Sequence, residues 1–180
     1  MRRLLTAAIL TLSLGCASAA SQMEEFAKTL HPSDFPLQIE KLLQNERPAQ
    51  ALELAELGLE KSPKSAQLRF MKAVSLETLG RTDEAVRELR GIIAAFPEIP
   101  EPYNNLAVIE AKLGQLEEAE ELLHKALLIN PEFALARKNL GDVYLALARE
   151  CYEAAQPKLP RNSALKTRLD ALKRLEAAAR

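Results

Sequence analysis

Side chains able to do chemistry are few in this chain. There are two histidines, His31 and His124, and two cysteines, Cys16 and Cys151, all far apart in sequence. A structural or catalytic zinc site draws three or four closely spaced ligands, and no such grouping exists here. The carboxylate pairs Glu117-Glu118 and Glu120-Glu121 fall on a polar helical stretch. Acid–base work would need an apolar pocket to raise one carboxyl pKa, so these read as solubilising charge. His124, between Leu123 and Lys125, reads as an exposed surface residue. The chain also lacks a glycine-rich phosphate loop, a dinucleotide turn, a nucleophile elbow and a paired-histidine zinc motif. No catalytic residue, metal ligand or cofactor site is expected, and the reading is of a protein that is not an enzyme.

Composition narrows the class. With 180 residues, 48% hydrophobic and 27% charged, the chain has the make-up of one folded domain. Lys+Arg number 24 against 25 Asp+Glu, which argues against a nucleic-acid binder with its basic stripe. Six Gly and ten Pro are too few for a low-complexity linker.

The first segment reads as an address. Arg2 and Arg3 precede an apolar run from Leu4 to Leu14, and small residues follow from Gly15 to Ala20. That is the pattern of a secretory signal peptide, and the run is too short to cross a bilayer, which takes roughly 20 residues. Ala17-Ser18-Ala19 fits cleavage before Ala20, which would remove residues 1–19. Leu12-Ser13-Leu14-Gly15-Cys16 also resembles a bacterial lipobox, in which residues 1–15 are removed and Cys16 is lipidated. Both cuts stay open, so the expected location is the periplasm, soluble or held at the outer membrane through Cys16. Either way Cys151 has no intramolecular disulfide partner, and it reads as a small buried filler on an apolar helical face.

Internal repetition is the strongest signal. Pro63, Pro97 and Pro131 recur at a constant interval of 34 positions. Leu79-Gly80 and Glu84-Ala85 return at the same interval as Leu113-Gly114 and Glu118-Ala119. In the unit from Pro100, Leu106, Ala107 and Glu110 share one helical face, a glycine turn follows, and Ala119, Leu122, Leu123 and Ala126 form a second helical stripe. A lone hairpin cannot bury both faces, so such units must stack.

The window from Pro100 to Pro131 resembles the tetratricopeptide (TPR) repeat, with Tyr103, Leu106, Ala107, Leu113, Gly114, Ala119, Leu123, Ala126 and Pro131 at the motif's key positions. The unit before it keeps Ala73, Leu76, Leu79-Gly80, Ala85, Leu89, Ile92 and Pro97, but has Arg69 where the motif has a large aromatic. Residues 32–65 read as a degenerate unit, whose turn Asn45-Glu46-Arg47-Pro48 lacks the glycine. The resemblance implies an all-α, right-handed α-solenoid of antiparallel helix pairs. The expected layout is a lead-in helix within 20–31, units at 32–65, 66–99 and 100–133, a shortened unit at 134–160, and a capping helix in 161–180.

In the shortened unit the step from Pro131 to Pro160 falls five positions below the regular interval, and the missing positions are those of its turn. Neither Gly nor Pro occurs between Leu145 and Ala155, which predicts one fused helix from about Phe133 to Gln156. Asn162 can cap a last helix, with Leu165, Leu169, Leu172 and Leu175 turned to the stack and Lys166, Arg168, Lys173 and Arg174 outside. The simpler reading of that basic face is a solvated surface with i,i+4 partners; contact with nucleic acid or anionic lipid is the alternative.

The resemblance also implies a binding groove lined by the first helix of each unit. Carried over position by position, it holds Gln67, Phe70, Val74, Glu77 and Thr78 in the second unit. The third supplies Glu101, Asn104, Val108, Ala111 and Lys112, and the fourth Leu135, Lys138, Asp142, Leu145 and Ala146. Asn105 and Asn139 read as structural. The carboxylate clamp of chaperone-binding relatives is broken, because Pro36 and Glu40, or Phe70 and Val74, stand where it needs Lys and Asn. The expected function is a non-catalytic scaffold or assembly factor of the bacterial cell envelope that holds a peptide or partner protein. Its alternative is a self-associating protein, a homodimer through the fused helix.

Overall fold

Three short turns, repeating at the same interval as the prolines, set the architecture. In the computed structural model, which describes residues 22–178 and their side chains as far as 175, Glu46, Gly80 and Gly114 all have positive φ, at 58°, 74° and 81°. Each sits just past a helix end and closes it identically. The amide after it donates back to the carbonyl five residues earlier (Arg47 to Leu42, Arg81 to Leu76, Gln115 to Glu110, all 2.9 Å). A second bond runs from the positive-φ residue's own N–H to the carbonyl three residues back. This is the Schellman closure, which satisfies two orphan carbonyls and reverses the chain. The unit starting at Pro32 therefore turns as the others do, with a glutamate in the glycine position.

The described chain divides at Phe96 into two compact units. The first holds α1 (22–29), a 3-10 turn Pro32–Asp34, then α2 (Phe35–Gln44), α3 (Pro48–Lys61), α4 (Ala66–Thr78) and α5 (Thr82–Ala95). Consecutive helices from α2 to α5 pack as antiparallel neighbours, and α2 also meets α4. Phe35, Ile39, Ala51, Leu54, Ala55 and Leu68 form the core, which Met23 and Ala27 of α1 extend. Lys61 Nζ reaches the α1 carbonyl of Ala27 (2.6 Å) and lies 5.2 Å over the Phe35 ring, so α1 is held by its C-terminal end. Gly58 is a close approach: a Cβ there would lie 2.7 Å from Phe35 Cδ1.

Arg69 has its own solution. It donates to Glu88 (2.9 Å) and lies so close over α5 that a Cβ on Gly91 would be 2.6 Å from its guanidinium. At the equivalent place in the second unit, Tyr103 donates to the Pro97 carbonyl (3.2 Å), and Arg137 donates to that of Pro131.

The second unit holds α6 (Pro100–Lys112), α7 (Leu116–Ile129), α8 (Ala134–Ala155), a 3-10 turn Gln156–Lys158 and α9 (Ser163–Ala178). The fused helix exists: α8 is 22 residues, about 33 Å at helical rise. Where a positive-φ residue would fall 34 positions after Gly114 stands Ala148, the best helix former. Asn162 caps α9 by accepting from Leu165 N–H at 3.0 Å, and Leu165, Leu169 and Leu172 are buried in a helix that packs on α8. Two expectations are corrected here. Cys151 is exposed rather than a buried filler, because a fused helix brings no second helix back over that face. Leu175, in the last turn of α9, is 56% exposed rather than turned to the stack. The expected signal segment and Cys16 lie outside the described residues.

The turn geometry makes two predictions of opposite sign. An L-residue in the left-handed region costs about 1–2 kcal/mol. Glu46→Gly should recover part of that, raising unfolding stability by about 0.5–1 kcal/mol. Gly80→Ala should lower it by about 1–2 kcal/mol, though no atom lies within 4 Å of the added methyl. Urea unfolding followed by circular dichroism checks both; equal midpoints would show that this backbone strain has no weight.

Candidate protein-interaction surface

The groove residues of the first unit all lie along one side of α4. Phe70, Val74 and Glu77 are half-buried, while Gln67 and Thr78 are exposed. Thr78 Oγ1 donates to the Val74 carbonyl at 2.8 Å, so its hydroxyl is partly spent on its own helix.

In the second unit α6 and α8 flank a cavity of about 350 Å³ with α7 beneath it. Val108, Ala111, Val143 and Ala146 make apolar walls, and Leu116 and Leu123 of α7 close the floor. The polar rim consists of Lys112, Lys138, Asn139 and Asp142. Lys138 and Asp142 form an i,i+4 ion pair at 2.7 Å with both side chains more than half exposed (67% and 59%). Such a pair is worth only a few tenths of a kcal/mol, so a ligand can reorganise it.

Six of the groove residues named from the sequence, Val108, Ala111, Lys112, Lys138, Asp142 and Ala146, thus line one cavity. Leu145 and Leu135 are exposed on α8 outside the lining, at 44% and 53%. Glu101 is exposed at the start of α6. Asn104 has a different place: it is 2% exposed, its Oδ1 accepts from Asn139 Nδ2 (2.9 Å) and its own Nδ2 donates to Asn105 Oδ1 (3.2 Å). This amide chain ties α6 to α8 and fixes the width of the cavity, with Asn105 and Asn139 in the structural role expected of them. The floor residues Leu116 and Leu123 and the wall residue Val143 are not among the groove positions read from the sequence, since periodicity alone makes them core.

Among the described residues no group of three or more His, Cys, Asp or Glu is placed to hold a metal, and no helix is long and apolar enough to cross a membrane. His124 is exposed; its Nε2 shares a 3.0 Å hydrogen bond with the Tyr144 hydroxyl, and Glu120 lies 3.6 Å away. Desolvation at this contact, with the Glu120 carboxylate beside it, pushes the Tyr144 hydroxyl above the ordinary tyrosine value. The cluster links α7 to α8.

Antiparallel helix pairs of 34-residue period, each closed by the same turn, define a helical-repeat protein. Two family models, both described as tetratricopeptide repeat, match residues 42–109 and 100–133, together just over half of the chain. The chain belongs to the tetratricopeptide repeat family. No curated protein matches it. Among solved structures it is similar to PilF of Pseudomonas aeruginosa (22% identity, 86% of this chain and 71% of that one, TM-score 0.61). It is also similar to TTC0263, a thermophilic TPR protein of Thermus thermophilus (21%, 79% and 81%, 0.60). A third similar structure is the second TPR domain of human RPAP3 in complex with the HSP70 peptide SGPTIEEVD (17%, 63% and 98%, 0.55). At these identities the likeness is one of fold.

The amide chain makes a testable contribution. Asn104→Ala strands the half-buried Asn139 amide and should cost about 1–3 kcal/mol. Asn105→Ala leaves the α6–α8 bond in place and should cost less. Equal losses in denaturant unfolding would show that the link between the helices carries no special weight.

Proposed function

We propose that the protein is a non-catalytic scaffold that holds a segment of a partner protein in the cavity between α6 and α8. The observation that carries this reading is the cavity itself: apolar walls and floor, about 350 Å³, under a rim of polar and charged side chains. That combination suits a peptide or helix that inserts an apolar side chain and keeps its backbone at the rim. The peptide held by the human RPAP3 domain supports such a use of the fold. Capture of a terminal carboxylate is disfavoured here, because Phe70 and Val74 replace the clamp's Lys and Asn and Asn104 is spent on Asn139.

Magnitudes say how much of the partner must engage. One buried Leu or Phe contributes about 1.5–3 kcal/mol, whereas a micromolar complex needs about 8 kcal/mol. The anchor must therefore be joined by rim contacts along a segment of several residues.

The finer reading is that this work is done in the bacterial cell envelope, after export. Its support is the order of basic, apolar and small residues from Arg2 to Ala20.

A photo-crosslinking residue at Val108, in cells that express the natural gene, should give one dominant adduct. Val108→Glu and Ala111→Leu, which charge and fill the cavity, should each lower recovery of that partner at least tenfold while helicity is unchanged. Undiminished recovery in both variants would remove the cavity from the mechanism. Intact mass of the recovered protein tests export: a chain starting at Ala20, or a lipidated Cys16, is expected, and a retained Arg2-Arg3 segment would overturn it.

A further inference from the structure

The charge of the second unit is sharply divided. Residues 97–155 carry five Lys/Arg against eleven Asp/Glu, whereas residues 156–178 carry six against two. The six are Lys158, Arg161, Lys166, Arg168, Lys173 and Arg174, and all are exposed. The simplest expectation for this face, neutralisation by i,i+4 partners, is not met. Asp170 stands four residues from both Lys166 and Arg174, yet among the described residues no carboxylate pairs with any of the six. Arg168 places its guanidinium 5.8 Å over the Tyr152 ring.

Like charges on one short segment repel each other, a cost that an anionic partner would reverse. Two features of the segment indicate which partner. Leu159 and Leu175, 49% and 56% exposed, lie near the two ends of the basic run. For single-stranded nucleic acid the segment carries no aromatic residue on which a base could stack. A bilayer interface takes both: aliphatic side chains enter the headgroup boundary while Lys and Arg stay with the phosphates. Lys166 and Lys173, two helical turns apart, share one flank of α9, on the order of 10 Å apart along its axis.

From these observations we infer that α9 and the turn before it form a peripheral docking face for an anionic phospholipid surface, independent of the cavity between α6 and α8. The acidic excess over residues 97–155 is repelled by the same surface, so contact is made by the basic end. Each cation near such a surface improves partitioning about fivefold, and the effect fades as the screening length drops from about 10 Å at 0.1 M salt towards 3 Å at 1 M.

The test is co-sedimentation of the full chain with vesicles of phosphatidylcholine alone, or of phosphatidylcholine and phosphatidylglycerol mixed two to one, beside the variant K166E/K173E/R174E. Both chains carry the same N-terminal apolar run, so their difference reports α9. On anionic vesicles in 0.05 M NaCl the natural chain should bind at least tenfold more tightly than the variant. The difference should vanish in 0.5 M NaCl and be absent on phosphatidylcholine. A second variant, K158Q/R161Q, should bind several-fold more weakly than the natural chain. Equal binding of the natural and charge-reversed chains to anionic vesicles would overturn the proposal. So would release of the natural chain into a tighter complex with a short DNA duplex, which would make nucleic acid the occupant.

Discussion

A left-handed backbone residue every 34 positions is the constraint on which the other features depend. At Glu46, Gly80 and Gly114 the chain gives up a helical conformation that its neighbours favour, and two carbonyls gain partners in return. Because the turn is only three residues long, the next helix has no choice but to run back against the one before it. The positions that meet are then the small ones, Ala51, Ala85 and Ala119 on the returning helices, all fully buried. Helix propensity alone would let these segments run on, so the reversals are written in backbone conformation rather than in the hydrophobic stripe.

The region after Gly114 shows the effect of losing that constraint. With Ala148 in the turn position α8 runs straight through, and its outer half has no returning partner. The consequences are local and connected. Cys151 faces solvent, α9 has to come back from a separate loop to cover α8, and the last turn of α9 leaves Leu175 exposed. An array of repeats needs a solvated end, and this one is made by a helix with three buried leucines on one side and four exposed Lys and Arg elsewhere.

Much of this was legible from residue spacing. The regular intervals of proline and Leu-Gly pairs locate the turns, and the run without Gly or Pro from Leu145 to Ala155 foretells the fused helix. The features that stayed hidden have a common cause: periodicity tells which face of a helix is apolar, but not what covers it. Cys151 and Leu175 lie on apolar stripes that happen to be uncovered. Asn104 sits at a polar position that happens to be buried, because Asn139 on α8 reaches it. Glu46 carried no signal for a left-handed turn, since glutamate is unfavourable there; only its place, 34 positions before Gly80, marks it. The site was half legible for the same reason: its rim could be named by position, whereas its floor, Leu116 and Leu123, is indistinguishable from core.

The repeats are alike in backbone but not in surface, and this confines the cavity's chemistry to one place. Val74 on α4 corresponds to Val108 on α6, yet Glu77 corresponds to Ala111, Thr78 to Lys112 and Phe70 to Asn104. An acidic side chain at the place of Ala111 would charge the wall, and a phenylalanine at the place of Asn104 could not hold α8 through Asn139. The cavity therefore depends on substitutions peculiar to the second unit. Its walls of Ala107, Ala111 and Ala146 add a further point. Small side chains expose little apolar area when the cavity is empty, at about 25 cal/mol per Å², while leaving the volume for a larger group to enter. Filling that volume with the protein's own side chains would add core, and it would remove the concavity in which we propose that a partner's side chain is held.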